Sequence, residues 1–248
     1  MGRELIGREH PAGVLRAAAD RVAESHGGLV LITGEAGIGK TALVTGAADA
    51  ARRSGCLVLS GSCWSSAGAP GLWPWTQVVR GLRRALPAPE WYEAASASGG
   101  SLAPLLGEGA AAGKSPAVRE ETDVFRLHDA VTTALVSAAQ GRPVVVVLED
   151  LHWADPASVR LLEFAAQQSW FERLLLVGTY RDTEADTAGH PLRPLLTPLT
   201  AKATTLALTG LDRAATGALM ARTAGLRPDP ELASEVHHRT GGNPFFVE

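Results

Sequence analysis

The chain has 248 residues, 46% hydrophobic and 20% charged, with 23 basic and 26 acidic side chains and a net charge of -3. That balance leaves no basic field for nucleic acid, no window nears the roughly 18 apolar residues of a membrane span, and the N-terminus MGRELIGREH lacks the apolar run of a signal peptide. The two cysteines, Cys56 and Cys63, read as reduced thiols packed as small hydrophobes, so the expected protein is cytoplasmic, binds no DNA directly and touches no membrane.

Leu5-Ile6-Gly7-Arg8-Glu9 precedes a helical pattern over residues 14–25, with Leu15, Ala18, Ala19 and Val22 on one face and Gly27-Gly28 as its stop. An apolar run over 29–32 then leads into Gly34, four residues, and Gly39-Lys40-Thr41, followed by a helical pattern to Arg53. This is the G-x-x-x-x-G-K-[ST] pattern in its strand, loop and helix setting. Gly34, Gly37 and Gly39 permit a tight turn, so that the backbone from Gly34 through Glu35, Ala36, Gly37, Ile38, Gly39, Lys40 and Thr41 to Ala42 forms a concave nest at a helix N-terminus. A polyphosphate fits such a nest, with Lys40 reaching the β- and γ-phosphates and the Thr41 hydroxyl taking Mg2+.

Residues 56–60 read as a second strand, and Trp64 with Pro70-Gly71-Leu72-Trp73-Pro74-Trp75 as a rigid aromatic loop anchored on the core, ahead of a helix over 76–86. From about 87 to 117 the chain is rich in Ala, Gly, Ser and Pro, with a short helix near Trp91, and reads as a partly mobile insertion. A helix over 120–139 buries Val124, Leu127, Val131, Leu135 and Val136. Val144 to Leu148, all apolar, predicts a central parallel strand ending in Glu149-Asp150. Ligands of parallel sheets sit beyond the carboxyl ends of strands, so these acids and the glycine-rich loop should share one edge.

Asp155 and Pro156 carry the cap and first-turn signals of a helix running to about Gln168, and His152 just before it is expected to fasten the loop. A further strand over 174–179 ends in Tyr180-Arg181-Asp182, which places a cation on the same edge. A proline-punctuated helix over 190–199 and a strand over 204–208 follow. After Asp212 only helices are expected, one to Ala224 and one from Asp229-Pro230 to His238, before Gly241-Gly242-Asn243-Pro244 breaks the chain. The predicted fold is α/β: a five-stranded parallel sheet flanked by helices over residues 1–210, then a small helical lid over 211–248 whose close on Phe245-Phe246 suggests continuation in a longer protein.

Together, Leu5 to Glu9, the loop Gly34 to Thr41, Ala-Pro-Gly-Leu-Trp-Pro-Trp, Val-Leu-Glu-Asp-Leu-His-Trp-Ala-Asp, Gly178 to Arg181 and Gly-Gly-Asn-Pro-Phe-Phe-Val-Glu resemble a known family. It is the STAND branch of AAA+-like P-loop (ASCE-type) ATPases, as found in large ATP-binding LuxR-family (MalT-like) bacterial regulators. The resemblance implies ATP or ADP with Mg2+ as ligands and slow hydrolysis coupled to lid position and self-association, with an inducer acting through regions outside this chain. It places Glu149 and Asp150 at Walker B, Arg181 at sensor 1, Pro244 on the nucleotide-touching lid motif, and Gly7-Arg8-Glu9 beside the adenine. Many relatives begin Walker B with Asp, so Glu149 is a departure, and the division of metal and water-orienting roles between Glu149 and Asp150 stays open. Alternatives are a nucleotide-holding scaffold without turnover and an AAA+ module serving a cyclase or kinase output domain.

Overall fold

The computed structural model describes residues 5–65, 70–99, 101–107, 121–185 and 189–248. Five strands, β1 (Gly28–Thr33), β2 (Leu57–Ser62), β3 (Val144–Glu149), β4 (Leu174–Thr179) and β5 (Thr204–Ala207), form one parallel sheet in the order β2-β3-β4-β1-β5. Because β4 lies between β1 and β3, the chain leaving it emerges between the glycine-rich loop after β1 and the two acids at the end of β3. The register sets Ile32 beside Thr179, Leu148 beside Gly178 and Ser62 beside Glu149.

Strand alternation sorts the core into two layers. On one face Val30, Ile32, Val145, Val147, Leu175 and Val177 pack with Leu15 and Val22 of α1 (Glu9–Ala23) and Leu43 and Val44 of α2 (Lys40–Arg53). On the other, Leu29, Leu31, Val146, Leu148 and Leu176 meet α3 (Trp73–Ala85), α4 (Ala88–Ala97), α5 (Ala103–Leu106), α6 (Glu121–Gly141), α7 (Pro156–Gln168) and, beyond the short α8 (Asp182–Ala185), α9 (Arg193–Lys202). Leu127, Val131 and Leu135 are buried on α6, while Val124 and Val136 are only half-buried.

Two stretches are more ordered than their composition suggests. Trp73-Pro74-Trp75 is the first turn of α3 rather than a loop, because Pro at the second helical position suits a helix start. Trp75 is completely buried and donates Nε1–H to the Ser158 carbonyl at 3.0 Å. Proline likewise opens α4 and α5, and Trp91, Ala94, Leu102 and Leu105 pack into the main core. These apolar pairs are too short for a periodicity signal. The rest of that expected insertion, from 108 onward, lies outside the described residues.

Beyond β5 the described residues form α10 (Arg213–Ala224), α11 (Pro230–Thr240) and α12 (Pro244–Val247), capped by the side chains of Asp212, Asp229 and Asn243. Leu211, Ala215 and Leu219 make a small separate core that also takes Ile6 and Val247. The N-terminal segment therefore packs on the C-terminal helices. Among the described residues no helix is long and apolar enough to cross a membrane.

Candidate nucleotide site

The loop between β1 and α2 is built by local sterics. Gly37 has φ +75°, and a Cβ there would stand 2.5 Å from that of Phe245, so both conformation and proximity require glycine. No side chain caps α2. The amides of Lys40, Thr41 and Ala42 begin the helix, where N–H groups lack intrahelical acceptors. Lys40 is buried, and its ammonium donates to the carbonyls of Gly34 and Glu35 at 2.6 and 2.8 Å. Burial and the neighbouring Arg181 lower its pKa, against the opposing pull of Asp150, Asp182 and Glu184. Thr41 is exposed on the first turn.

At the end of β3, Glu149 continues the row of Val145 and Val147 on the α2 side of the sheet and is half-buried. Asp150 leaves the strand in a left-handed conformation, φ 59° and ψ 45°, which Asp tolerates better than most residues. Its N–H donates to Thr179 Oγ1 at 3.0 Å, tying the ends of β3 and β4 together. Asp150, and not Glu149, is among the groups whose charge acts on Lys40. Among the described residues no group of three or more His, Cys, Asp or Glu side chains makes a metal cage. The residues present still fit Mg2+, which is usually held by one or two protein oxygens together with phosphate and water; Thr41 and Glu149 would be those oxygens.

Arg181 follows β4 and is engaged by its neighbours. Its Nη1 donates to Glu184 Oε1 at 2.6 Å, and its guanidinium lies 5.0 Å from the centre of the Trp153 ring. The hydrogen bond from Arg181 holds the Glu184 carboxyl below its usual range. His152 has a fully buried side chain with Nε2 3.7 Å from Glu184 Oε2, and neither ring nitrogen has a hydrogen-bond partner among the described residues. Burial lowers its pKa, only partly offset by Glu184 and Asp150. The His152 ring packs against that of its neighbour Trp153, at 4.6 Å between ring centres.

A cavity of about 230 Å³ opens between the loop and the C-terminal helices, lined by Leu5, Ile6, Arg8, Gly37, Ile38, Gly39, Ala42, Leu211, Leu219, Arg222, Pro244, Phe245 and Glu248. Arg8, Pro244 and the loop, expected from sequence to lie around one ligand, do line one space. Arg8 does more than line it, since its buried Nη2 donates to the Ile38 carbonyl at 2.9 Å and so clamps the loop backbone. Gly7 packs so closely on α10 that a Cβ would stand 2.7 Å from that of Ala215. Asn243 also binds the loop, donating Nδ2–H to the Ala36 carbonyl at 2.9 Å.

Sequence reasoning missed Asn243 and Glu184. Asn-Pro is a helix-start signal that was available but read only as a chain break. An acid three residues after Arg181 was also visible, yet such i,i+3 pairs are ordinary on helix surfaces.

Residues 4–177 match the AAA ATPase domain family. An uncharacterised protein of Rhizobium meliloti (strain 1021) is 30% identical over 275 aligned residues, covering all of this chain and 25% of that protein. Among solved structures, the Aeropyrum pernix ORC2 protein, in ADPNP–ADP complexes, superposes with a TM-score of 0.58 at 15% identity, over 100% of this chain and 61% of the other. Drosophila ORC bound to DNA gives 0.56 at 14% identity, over 98% and 54%. The Walker-type ATPase of Pyrococcus abyssi gives 0.52 at 14% identity, over 98% and 66%. At these identities the structural likeness speaks to the fold. The chain spans a quarter of its Rhizobium relative and under two thirds of the ORC structures.

Proposed function

The chain belongs to the AAA ATPase domain family, and from that premise we propose that it is an ATP-binding, slowly hydrolysing switch unit of a signal-responsive bacterial regulator of the STAND, LuxR-family (MalT-like) type. One observation carries the reading: β4 lies between β1 and β3, so the loop carrying Lys40, the β3 end at Asp150 and the β4 end before Arg181 share one edge of the sheet, with Asp150 N–H bonded to Thr179. The phosphates of ATP would lie on the amides from Gly34 to Ala42, with Lys40 exchanging its loop carbonyls for phosphate oxygens. The base and ribose would enter the cavity bounded by Arg8 and Pro244. Bound Mg2+ would supply charge neutralisation at the phosphates. Asp150 would orient the attacking water, and Arg181 would meet the terminal phosphate; positioning and electrostatics of this kind suffice for a basal rate.

The C-terminal helices, held to the loop through Asn243, would act as the lid whose position follows the nucleotide, with self-association and an inducer as further partners. A net charge of -3 favours nucleotide rather than DNA as the ligand of this chain.

Phosphate release by the purified chain tests the reading against Lys40→Ala and Asp150→Ala. Magnesium-dependent release that both variants lose is the expected result. A second reading, a nucleotide-holding unit without turnover, is favoured by the engagement of Arg181 with Glu184. It would be supported by nucleotide binding with no release above the variants; no nucleotide binding at all would overturn both readings.

A further inference from the structure

The reading above makes Arg181 the group that meets the terminal phosphate, but in this structure its guanidinium already has a carboxylate partner. Glu184 Oε1 accepts from Arg181 Nη1, while the other oxygen of the same carboxylate stands 3.7 Å from His152 Nε2. That imidazole is fully buried and both its nitrogens lack hydrogen-bond partners among the described residues. One carboxylate thus faces two donors and satisfies one. A shift of about 1 Å would bring His152 Nε2–H to hydrogen-bonding distance of Glu184.

We propose that Glu184 is a latch on Arg181 that sets the preference of this site for nucleoside triphosphate over diphosphate, releasing the guanidinium to a terminal phosphate and passing its carboxylate to His152. This rests on the reading of Arg181 as the phosphate-facing cation. Arg181 pairs with Glu184 when a diphosphate fills the loop, because no third phosphate competes. With a triphosphate the guanidinium takes phosphate oxygens, for which its planar fork is well matched. Glu184 then turns to His152, whose buried nitrogen gains an acceptor. A neutral imidazole carrying its proton on Nε2 is sufficient, so no protonation change is needed. The guanidinium and the carboxylate are partnered in both states, Arg181 by Glu184 or by phosphate and Glu184 by Arg181 or by His152, whereas His152 Nε2–H gains its acceptor only in the second. The Arg181–Glu184 pair is partly exposed, at 26% and 43%, and pairs of that kind shift an equilibrium by about two- to fivefold.

The test is calorimetric titration of the chain with a non-hydrolysable ATP analogue and with ADP, each with Mg2+, for wild type, Glu184→Gln, Glu184→Ala and Arg181→Ala. Glu184 is a surface residue, so its substitution leaves the fold intact. Both Glu184 variants are expected to tighten the triphosphate by about two- to fivefold and leave ADP unchanged, whereas Arg181→Ala lowers the triphosphate preference. If the Glu184 variants leave the preference unchanged or lower it while Arg181→Ala still lowers it, the latch is overturned and the reading of Arg181 survives. If Arg181→Ala leaves the preference unchanged, that reading falls and the latch with it. Histidine-labelled protein supplies a second readout: the Nε2–H signal of His152, assigned by its loss in His152→Gln, should move downfield with the ATP analogue and not with ADP. A signal that stays in place with the analogue overturns the handover.

Discussion

The side-chain amide of Asn243 donates to the Ala36 carbonyl at 2.9 Å, joining residues 207 positions apart, while the oxygen of the same amide accepts from the Phe245 N–H at 3.1 Å and caps α12. One buried residue thus both starts the last helix and ties it to the glycine-rich loop. The two tasks separate by substitution. Asn243→Asp keeps the capping oxygen but sets a carboxylate against the Ala36 carbonyl, whereas Asn243→Ala loses both interactions. Alanine should cost about 1 kcal/mol of stability. Hydrogen exchange should rise in the loop at 34–39 for both variants, and at the start of α12 for alanine alone.

Gly37→Ala should be harmful for two independent reasons. A left-handed Ala costs about 1–2 kcal/mol, and its Cβ would press on Phe245. The expected outcome is a lower melting temperature together with a loss of nucleotide affinity of roughly tenfold or more, an amount equivalent to about 1.4 kcal/mol. Titration calorimetry beside thermal unfolding measures both. Normal affinity in a normally folded Gly37→Ala would mean that the contact is dispensable.

Glu149 and Asp150 should divide their work. Asp150 shares electrostatic surroundings with Lys40 and is tied to β4, so Asp150→Asn should leave nucleotide binding nearly intact and reduce phosphate release by about 10²-fold or more, as for loss of a positioned proton acceptor. Glu149→Asp should change the magnesium concentration needed for half-maximal release, because it shortens the arm toward the metal. The reverse pattern in a magnesium titration would exchange the two roles.

Acid should destabilise the fold through His128 and His152. Burial lowers both pKa values, helped by Arg160 at His128 and opposed by Glu184 and Asp150 at His152. A histidine kept neutral by folding binds its proton more readily when unfolded, so stability is full above the unfolded value near 6.5 and declines as pH falls below it, by up to about 1.4 kcal/mol per pH unit for each group. Urea unfolding from pH 7.5 to 5 should show this decline. Replacing either histidine with Gln should flatten it, and an unchanged slope in both single variants would assign the acid sensitivity to other groups.

Trp75→Phe should cost about 1–3 kcal/mol, since it removes the buried Nε1–H bond to the Ser158 carbonyl while keeping most of the ring. Denaturant midpoints check the value. A cost below about 0.5 kcal/mol, the low end for a hydrogen bond, would mean that the α3–α7 contact rests on shape alone.

What the sequence determined by itself was most of what short-range physics governs. Apolar β-branched runs specified the buried strands, the glycine spacing specified the loop before α2, and Asp155, Asp212 and Asp229 each cap the helix expected of them. The parallel α/β architecture followed because those elements alternate. Trp73 to Trp75 were misread as a loop, since proline at a helix start resembles proline in a turn, and the short helix expected near Trp91 is Ala88–Ala97. Only the tertiary structure decided which charges meet. The insertion of β4 between β1 and β3 brings the strand end before Arg181 between those of the Lys40 loop and Asp150, and the packing of the C-terminal helices brings Asn243 to Ala36. Arg8 on the Ile38 carbonyl and Glu184 beside His152 belong to the same class. Such contacts depend on strand order and interlayer packing, which set distances between residues far apart in the chain and leave no local pattern in the residues themselves.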